Sequence, residues 1–221
     1  MASAIIFDLD NTLYNEFDYV RSGFEVVSRY LSQKYNVDHD LIFQQCLKDV
    51  ALNGRGKVFD RVLDFFGIQS SEILVQLLVV LYRNHKPDVS LKNEVKDFLK
   101  DLKQQGYKLG LITDGDSSLQ LKKIESLKLG SYFDFILHTD ILGKGFEKPS
   151  PVPFLLTLKY LDVRAEDSIY VGDRFIKDYQ GARAVGMKSI LYTEYFRDPE
   201  VKEDCLHSCD LESLSDLIKS I

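Results

Sequence analysis

No stretch of this 221-residue chain approaches the run of ~18 apolar residues that a membrane-crossing helix needs. Its longest greasy patch, Leu77 to Leu81, sits inside a helical pattern. The amino end has no basic region followed by a long apolar run, because Asp8 interrupts the apolar start too early for a secretory leader. Cysteine is scarce: Cys46, Cys205 and Cys209 are an odd set without metal-type spacing, so reduced thiols and a cytoplasmic location are expected. Surplus positive charge is also missing. Twenty-eight Lys and Arg against 34 Asp and Glu leave a net charge of −6, which argues against nucleic acid or an anionic membrane as a partner. Internal repeats and low-complexity tracts are absent.

What is present is an ordinary globular composition, 45% apolar and 28% charged, enough to bury a sizeable core. Ala4 to Phe7 reads as a short buried strand. From Tyr14 to Val89 the periodicity is helical: Val20, Phe24, Val27 and Leu31 recur at three or four residues, as do Val58, Val62 and Phe66. Leu41 to Leu52 gives a weaker helix. Ser70-Ser71-Glu72 caps another that carries Ile73, Leu74, Leu77, Leu78 and Leu81 and ends before Pro87. About four helices are expected there. From Ser90 onward helices and strands alternate. Strands are expected at 108–113, 133–137, 168–171 and 188–192, and helices over 95–102, to about 127, over 154–161, 176–185 and 211–218. This grammar predicts an α/β fold, a parallel sheet covered by helices on both faces. The first strand stands about a hundred residues from the second, whereas a strand–helix–strand unit needs roughly 30. The excess is an all-helical insertion over 14–89, and 1–13 with 90–221 form the sheet domain.

In such sheets ligands bind outside the carboxyl ends of the strands. Four polar signals fall there: Asp8 and Asp10; Thr113-Asp114-Gly115; Lys148-Pro149; and Gly172-Asp173 with Asp178. Any one of them reads equally well as an ordinary turn or helix cap. Two carboxylates at a strand end, on the same side by the period of two, repel unless a cation lies between them. The residue types suit phosphoryl transfer. Asp8 can act as a carboxylate nucleophile and Asp10 as the acid and base. The clustered acids suit a hard cation such as Mg²⁺. Thr113, with free amides at the start of the following helix, can hold phosphoryl oxygens, and Lys148 can neutralise nucleophile and phosphoryl group together.

Asp8-Leu9-Asp10-Asn11-Thr12, Ile112-Thr113-Asp114-Gly115, Lys148-Pro149 and Gly172-Asp173-x4-Asp178 resemble, in order, the four motifs of the haloacid dehalogenase superfamily. The resemblance implies a Rossmann-like core with a helical cap that closes over the substrate. It also implies Asp8 as nucleophile, Asp10 as general acid and base, Thr113 as phosphate ligand and Lys148 as charge clamp. Mg²⁺ would be held by Asp8, the Asp10 carbonyl and Asp173, with Asp178 supporting. Asp114 stands where many members have asparagine, so its carboxylate is expected to point away or to cap the helix, leaving its amide and that of Gly115 to the substrate. Asp10 favours a phosphatase over the dehalogenases, whose first motif lacks it. The Gly172-Asp173-Arg174 form resembles sugar-phosphate and nucleotide phosphatases, and the implied substrate is a small phosphorylated metabolite. A phosphomutase and a silent binding module are the alternatives. In the insertion, Arg55, Lys57 and Arg61 could reach the substrate or form a solvated basic loop. Tyr14 could line the pocket or pack at a hinge. His85, His138 and His207 receive no role.

Overall fold

The computed structural model describes residues 2–202 and 205–221. Six parallel strands form one sheet in the order β3-β2-β1-β4-β5-β6: β1 (Ala4–Phe7), β2 (Lys108–Thr113), β3 (Phe135–His138), β4 (Ser168–Gly172), β5 (Lys188–Tyr192) and β6 (His207–Ser208). That order is doubly wound, and its direction reverses between β1 and β4. Phe7 pairs with Leu111 on one side and Val171 on the other, which brings the ends of β1, β2 and β4 level. The Asp8 N–H continues the ladder, donating to the Val171 carbonyl at 2.9 Å.

The central strands are apolar on both faces because helices cover both. Ile6, Ile112 and Tyr170 pack with Phe154 and Leu158 of a helix over Pro151–Leu161. Phe7 meets Phe98 and Phe133 edge-on, with ring centroids 6.3 and 6.1 Å apart. The chain divides into two compact units: one runs up to Glu16 and resumes over Ser90–Ile221, the other is Phe17–Val89. The expected junction after Leu13 therefore moves three residues on, and Tyr14, Asn15 and Glu16 belong to the sheet unit.

The helical unit holds most of α1 (Glu16–Tyr35), with α2 (His39–Asn53), α3 (Val58–Phe65) and α4 (Glu72–Asn84). Its core joins Val20, Phe24, Val27 and Leu31 to Val62, Leu63, Leu74 and Leu78. Of the apolar residues expected on α4, Leu74 and Leu78 are buried, while Ile73 and Leu77 turn away from that stripe and are 81% and 37% exposed. Asp38 caps α2 through the Leu41 N–H, and Ser71 caps α4 through that of Leu74. Arg61 grips buried Asp49 with two parallel bonds, Nε to Oδ1 and Nη2 to Oδ2, each 2.7 Å. Arg55 and Lys57 are exposed.

In the sheet unit, α5 (Asn93–Gln104), α6 (Ser117–Ser126), α7 (Pro151–Leu161) and α9 (Leu211–Ser220) follow the expected helices within a few residues, α8 being the short Gly181–Ala184 turn. The expected 176–185 helix is instead a π-helical segment, Phe175–Gln180, leading into α8. The pair β6 makes with β5 lay outside the sequence pattern, being only two residues long.

Candidate active site

The loops after β1, β2, β3 and β4 line one cavity of about 140 Å³. Asp8, Asp10, Asn11, Glu16, Thr113, Asp114, Lys148, Asp173, Arg174, Lys177 and Asp178 surround it. It lies where the strand order reverses, the place a doubly wound sheet offers a ligand.

Lys148 organises the floor. Its buried ammonium donates to Asp8 Oδ1 at 2.5 Å, to Asp178 Oδ1 at 2.7 Å and to the Tyr170 hydroxyl at 3.1 Å. Burial alone would push this ammonium's pKa down. The charges of Asp178 and Asp8, with smaller help from Tyr170 and Asp114, more than offset that and raise it, so Lys148 stays charged. Asp178 is fully engaged, for its Oδ2 also accepts the Arg174 N–H at 3.0 Å. That close approach depends on Gly172, where a Cβ would lie 2.5 Å from the Asp178 carboxyl carbon.

Asp8, Asp173 and Asp178 each offer an oxygen within 4.8 Å of the others. Among the described residues the buried Asp173 carboxylate accepts no hydrogen bond from another side chain. Its pKa is raised to about 7, first by burial and then by Asp178. Asp8 is pushed well up as well, by burial first; Lys148 lowers it, and Asp178 and Asp173 raise it again. Three buried carboxylates around one lysine leave negative charge that only a proton or a cation can balance. An all-oxygen donor set of this kind fits a hard divalent cation.

Asp10 stands apart from that cluster. The turn behind it closes on the Leu9 carbonyl, which receives the N–H groups of Thr12 and Leu13, while Asn11 takes the left-handed conformation that asparagine tolerates. Buried Lys123 donates to both Asp10 oxygens at 2.8 Å, Tyr14 to Oδ1 at 2.6 Å and Gln120 to Oδ2 at 3.2 Å. Tyr14 thus bonds the Asp10 carboxylate directly. Gln120 and Lys123 escaped the sequence reading, since a lysine at helical spacing carries no mark of burial.

Thr113 is buried and lines the cavity, and its hydroxyl makes no hydrogen bond to protein among the described residues. The expectation of free amides at the start of α6 is overturned. Ser117 N–H goes to Asp140 at 3.0 Å, and those of Ser118 and Leu119 go to Asp116, the actual cap. The N–H groups of Asp114 and Gly115 remain unpartnered among the described residues, and Gly115 holds them in place at φ +113°. The Asp114 side chain neither points away nor caps. Its Oδ1 accepts the Thr139 hydroxyl at 2.9 Å and the Lys148 N–H at 3.1 Å, and Oδ2 the Lys177 ammonium at 3.0 Å. Burial raises its pKa, but Lys148 and Lys177 outweigh that and the carboxyl is held below the ordinary range.

Comparison with known proteins identifies the family. The haloacid dehalogenase-like hydrolase family matches residues 5–192. A glyceraldehyde 3-phosphate phosphatase of Methanocaldococcus jannaschii is 32% identical over 100% of this chain and 99% of its own. A ribulose-1,5-bisphosphate 5-phosphatase of Halopiger xanaduensis is 31% identical, over 95% of this chain and 90% of its own. A Thermotoga maritima structure provisionally assigned as a β-phosphoglucomutase superposes with a TM-score of 0.71 at 20% identity, covering 100% of both chains.

Proposed function

This chain belongs to the haloacid dehalogenase-like hydrolases, and on that premise we propose that it is a phosphatase acting on a small phosphorylated sugar through a phospho-Asp8 intermediate. The observation that carries the reading is the division of labour between two aspartates in one motif. Asp8 is wired to Lys148 on the floor, and Asp10 to Lys123, Tyr14 and Gln120 beside it.

In the first step an Asp8 oxygen bonds to phosphorus, the bond to the substrate's ester oxygen breaks, and Asp10 gives that oxygen its proton. In the second, Asp10 takes a proton from water, whose oxygen attacks phosphorus. Inorganic phosphate leaves and the Asp8 carboxylate is restored. Thr113 and the amides of Asp114 and Gly115 receive phosphoryl oxygens, and Lys148 balances the charge that develops. Asp8, Asp173 and the Asp10 carbonyl would hold Mg²⁺, which when bound supplies charge neutralisation to the transferring group. The unit Phe17–Val89 is the proposed cap. The sugar assignment rests on the substrates named for the two archaeal relatives.

The reading is tested by screening phosphate release from phosphorylated metabolites with wild type and Asp8→Asn. Mg²⁺-dependent release by wild type alone is expected. Release by the variant at the wild-type rate would overturn it.

A further inference from the structure

Two cations at the mouth of the cavity, Arg174 and Lys177, are not used by this chemistry. Arg174 directly follows Asp173, and its own N–H is fixed on Asp178 at 3.0 Å. Its side chain then leaves the floor and is 50% exposed. It is nevertheless held. Nε donates at 3.0 Å to Asp198, a buried carboxylate in the loop after β5, and the guanidinium lies 5.1 Å over the Phe196 ring. Asp198 is itself fixed by the N–H groups of Phe175 at 3.1 Å and Glu200 at 3.0 Å.

The way this arginine spends its donors is informative. Arg61, in the helical unit, commits Nε and Nη2 to the two oxygens of Asp49, as an arginine serving the fold does. Arg174 gives Asp198 only its Nε, and among the described residues its two terminal nitrogens have no partner. A guanidinium has five N–H donors, so four are left in a planar fork suited to a phosphate or a carboxylate. Three residues on, Lys177 is 48% exposed and anchored to Asp114 at 3.0 Å, leaving two of its three donors. Both residues line the cavity. Glu16 and Asp10 line it too, and among the described lining residues Arg174 and Lys177 are the half-exposed cations.

We propose that Arg174 and Lys177 form a second anion subsite, which selects phosphate monoesters bearing a second phosphate group. This rests on the phosphatase reading for what occupies the floor, but the subsite can be tested without turnover. The probes are propane-1,3-diol bisphosphate and 3-hydroxypropyl phosphate, titrated calorimetrically with Mg²⁺ into Asp8→Asn protein. The bisphosphate is expected to bind at least about tenfold tighter, the size of one charge-assisted hydrogen bond at a half-exposed group. Adding Arg174→Gln should cut that ratio to about two or less, and Lys177→Gln should cut it in part. An undiminished ratio with Arg174→Gln would overturn the subsite, as would equal weakening of both probes. Replacing the second phosphate by a carboxylate, in 4-phosphooxybutanoate, should give an intermediate ratio; a carboxylate preferred over phosphate would contradict the dianion assignment. A wild type that released no phosphate from any ester would defeat the phosphatase reading and leave this binding ratio still decisive for the subsite.

Discussion

At the scale of residues, the site works by assigning each carboxylate a different partner. Among the described residues Asp10 is held by three donors, of which Lys123 alone is charged. Lys123→Met should lower single-turnover alcohol release from an alkyl phosphate by roughly 10–100-fold, within the usual worth of acid–base catalysis. Release of p-nitrophenolate, which leaves without a proton, should fall far less; rapid-quench kinetics on the two substrates measure the difference. Asp114 gives a second contrast. Its Oδ1 takes two donors that an asparagine oxygen can take as well, so Asp114→Asn should cost under ~1 kcal/mol, whereas Asp114→Ala, which strands the Lys148 N–H and the Thr139 hydroxyl, should cost about 1–3 kcal/mol. The Asp114 pKa is lower in the folded chain than its ordinary 3.8. The stability it adds is therefore complete above the ordinary value and is lost as pH falls through the folded one. Denaturant titrations from neutral pH into that acid range should show Asp114→Asn losing less stability than wild type.

At the scale of elements, strand ends deliver the chemistry and small backbone choices set its precision. The β4 end allows Asp178 to reach Lys148 only because residue 172 has no side chain. Gly172→Ala should cost about 1–3 kcal/mol by overpacking, and displacement of Asp178 should reduce turnover at least tenfold, as thermal melts and steady-state rates will show. Here the reach of the sequence can be judged. Strands such as Lys108–Thr113 and Lys188–Tyr192 were legible to the residue, because buried parallel strands are short apolar runs with polar ends. Asp8, Thr113 and Asp173 stand at or just past the ends of such runs, whereas Lys148 and Asp178 lie well beyond theirs and were marked only by the four-motif resemblance; one cavity gathers them all. The π-helical turn at Phe175–Gln180 was not legible, since its apolar spacing reads as an ordinary helix. Nor were Lys123, Gln120 and Asp198, whose roles depend on contacts across 113, 110 and 24 residues.

At the scale of the molecule, two units each bury a core of their own, and no helix among the described residues is long and apolar enough to cross a membrane. The sheet unit gathers three buried carboxylates, Asp8, Asp173 and Asp178, around the single ammonium of Lys148 at its strand ends. A divalent cation that binds there and not to the unfolded chain should stabilise the protein by about 2.7 kcal/mol at a hundredfold excess over its Kd. A rise in Tm with Mg²⁺ that disappears in Asp173→Asn is the expected result. The central claim is that Asp8 attacks while Asp10 moves the proton, and Asp10→Asn mixed rapidly with p-nitrophenyl phosphate tests it most directly. Because this leaving group needs no acid while hydrolysis of the intermediate needs a base, the account predicts one equivalent of nitrophenolate in a burst, with the mass of one phosphoryl group retained on Asp8 after acid quench. Steady turnover without a burst, and an unmodified Asp8, would contradict it.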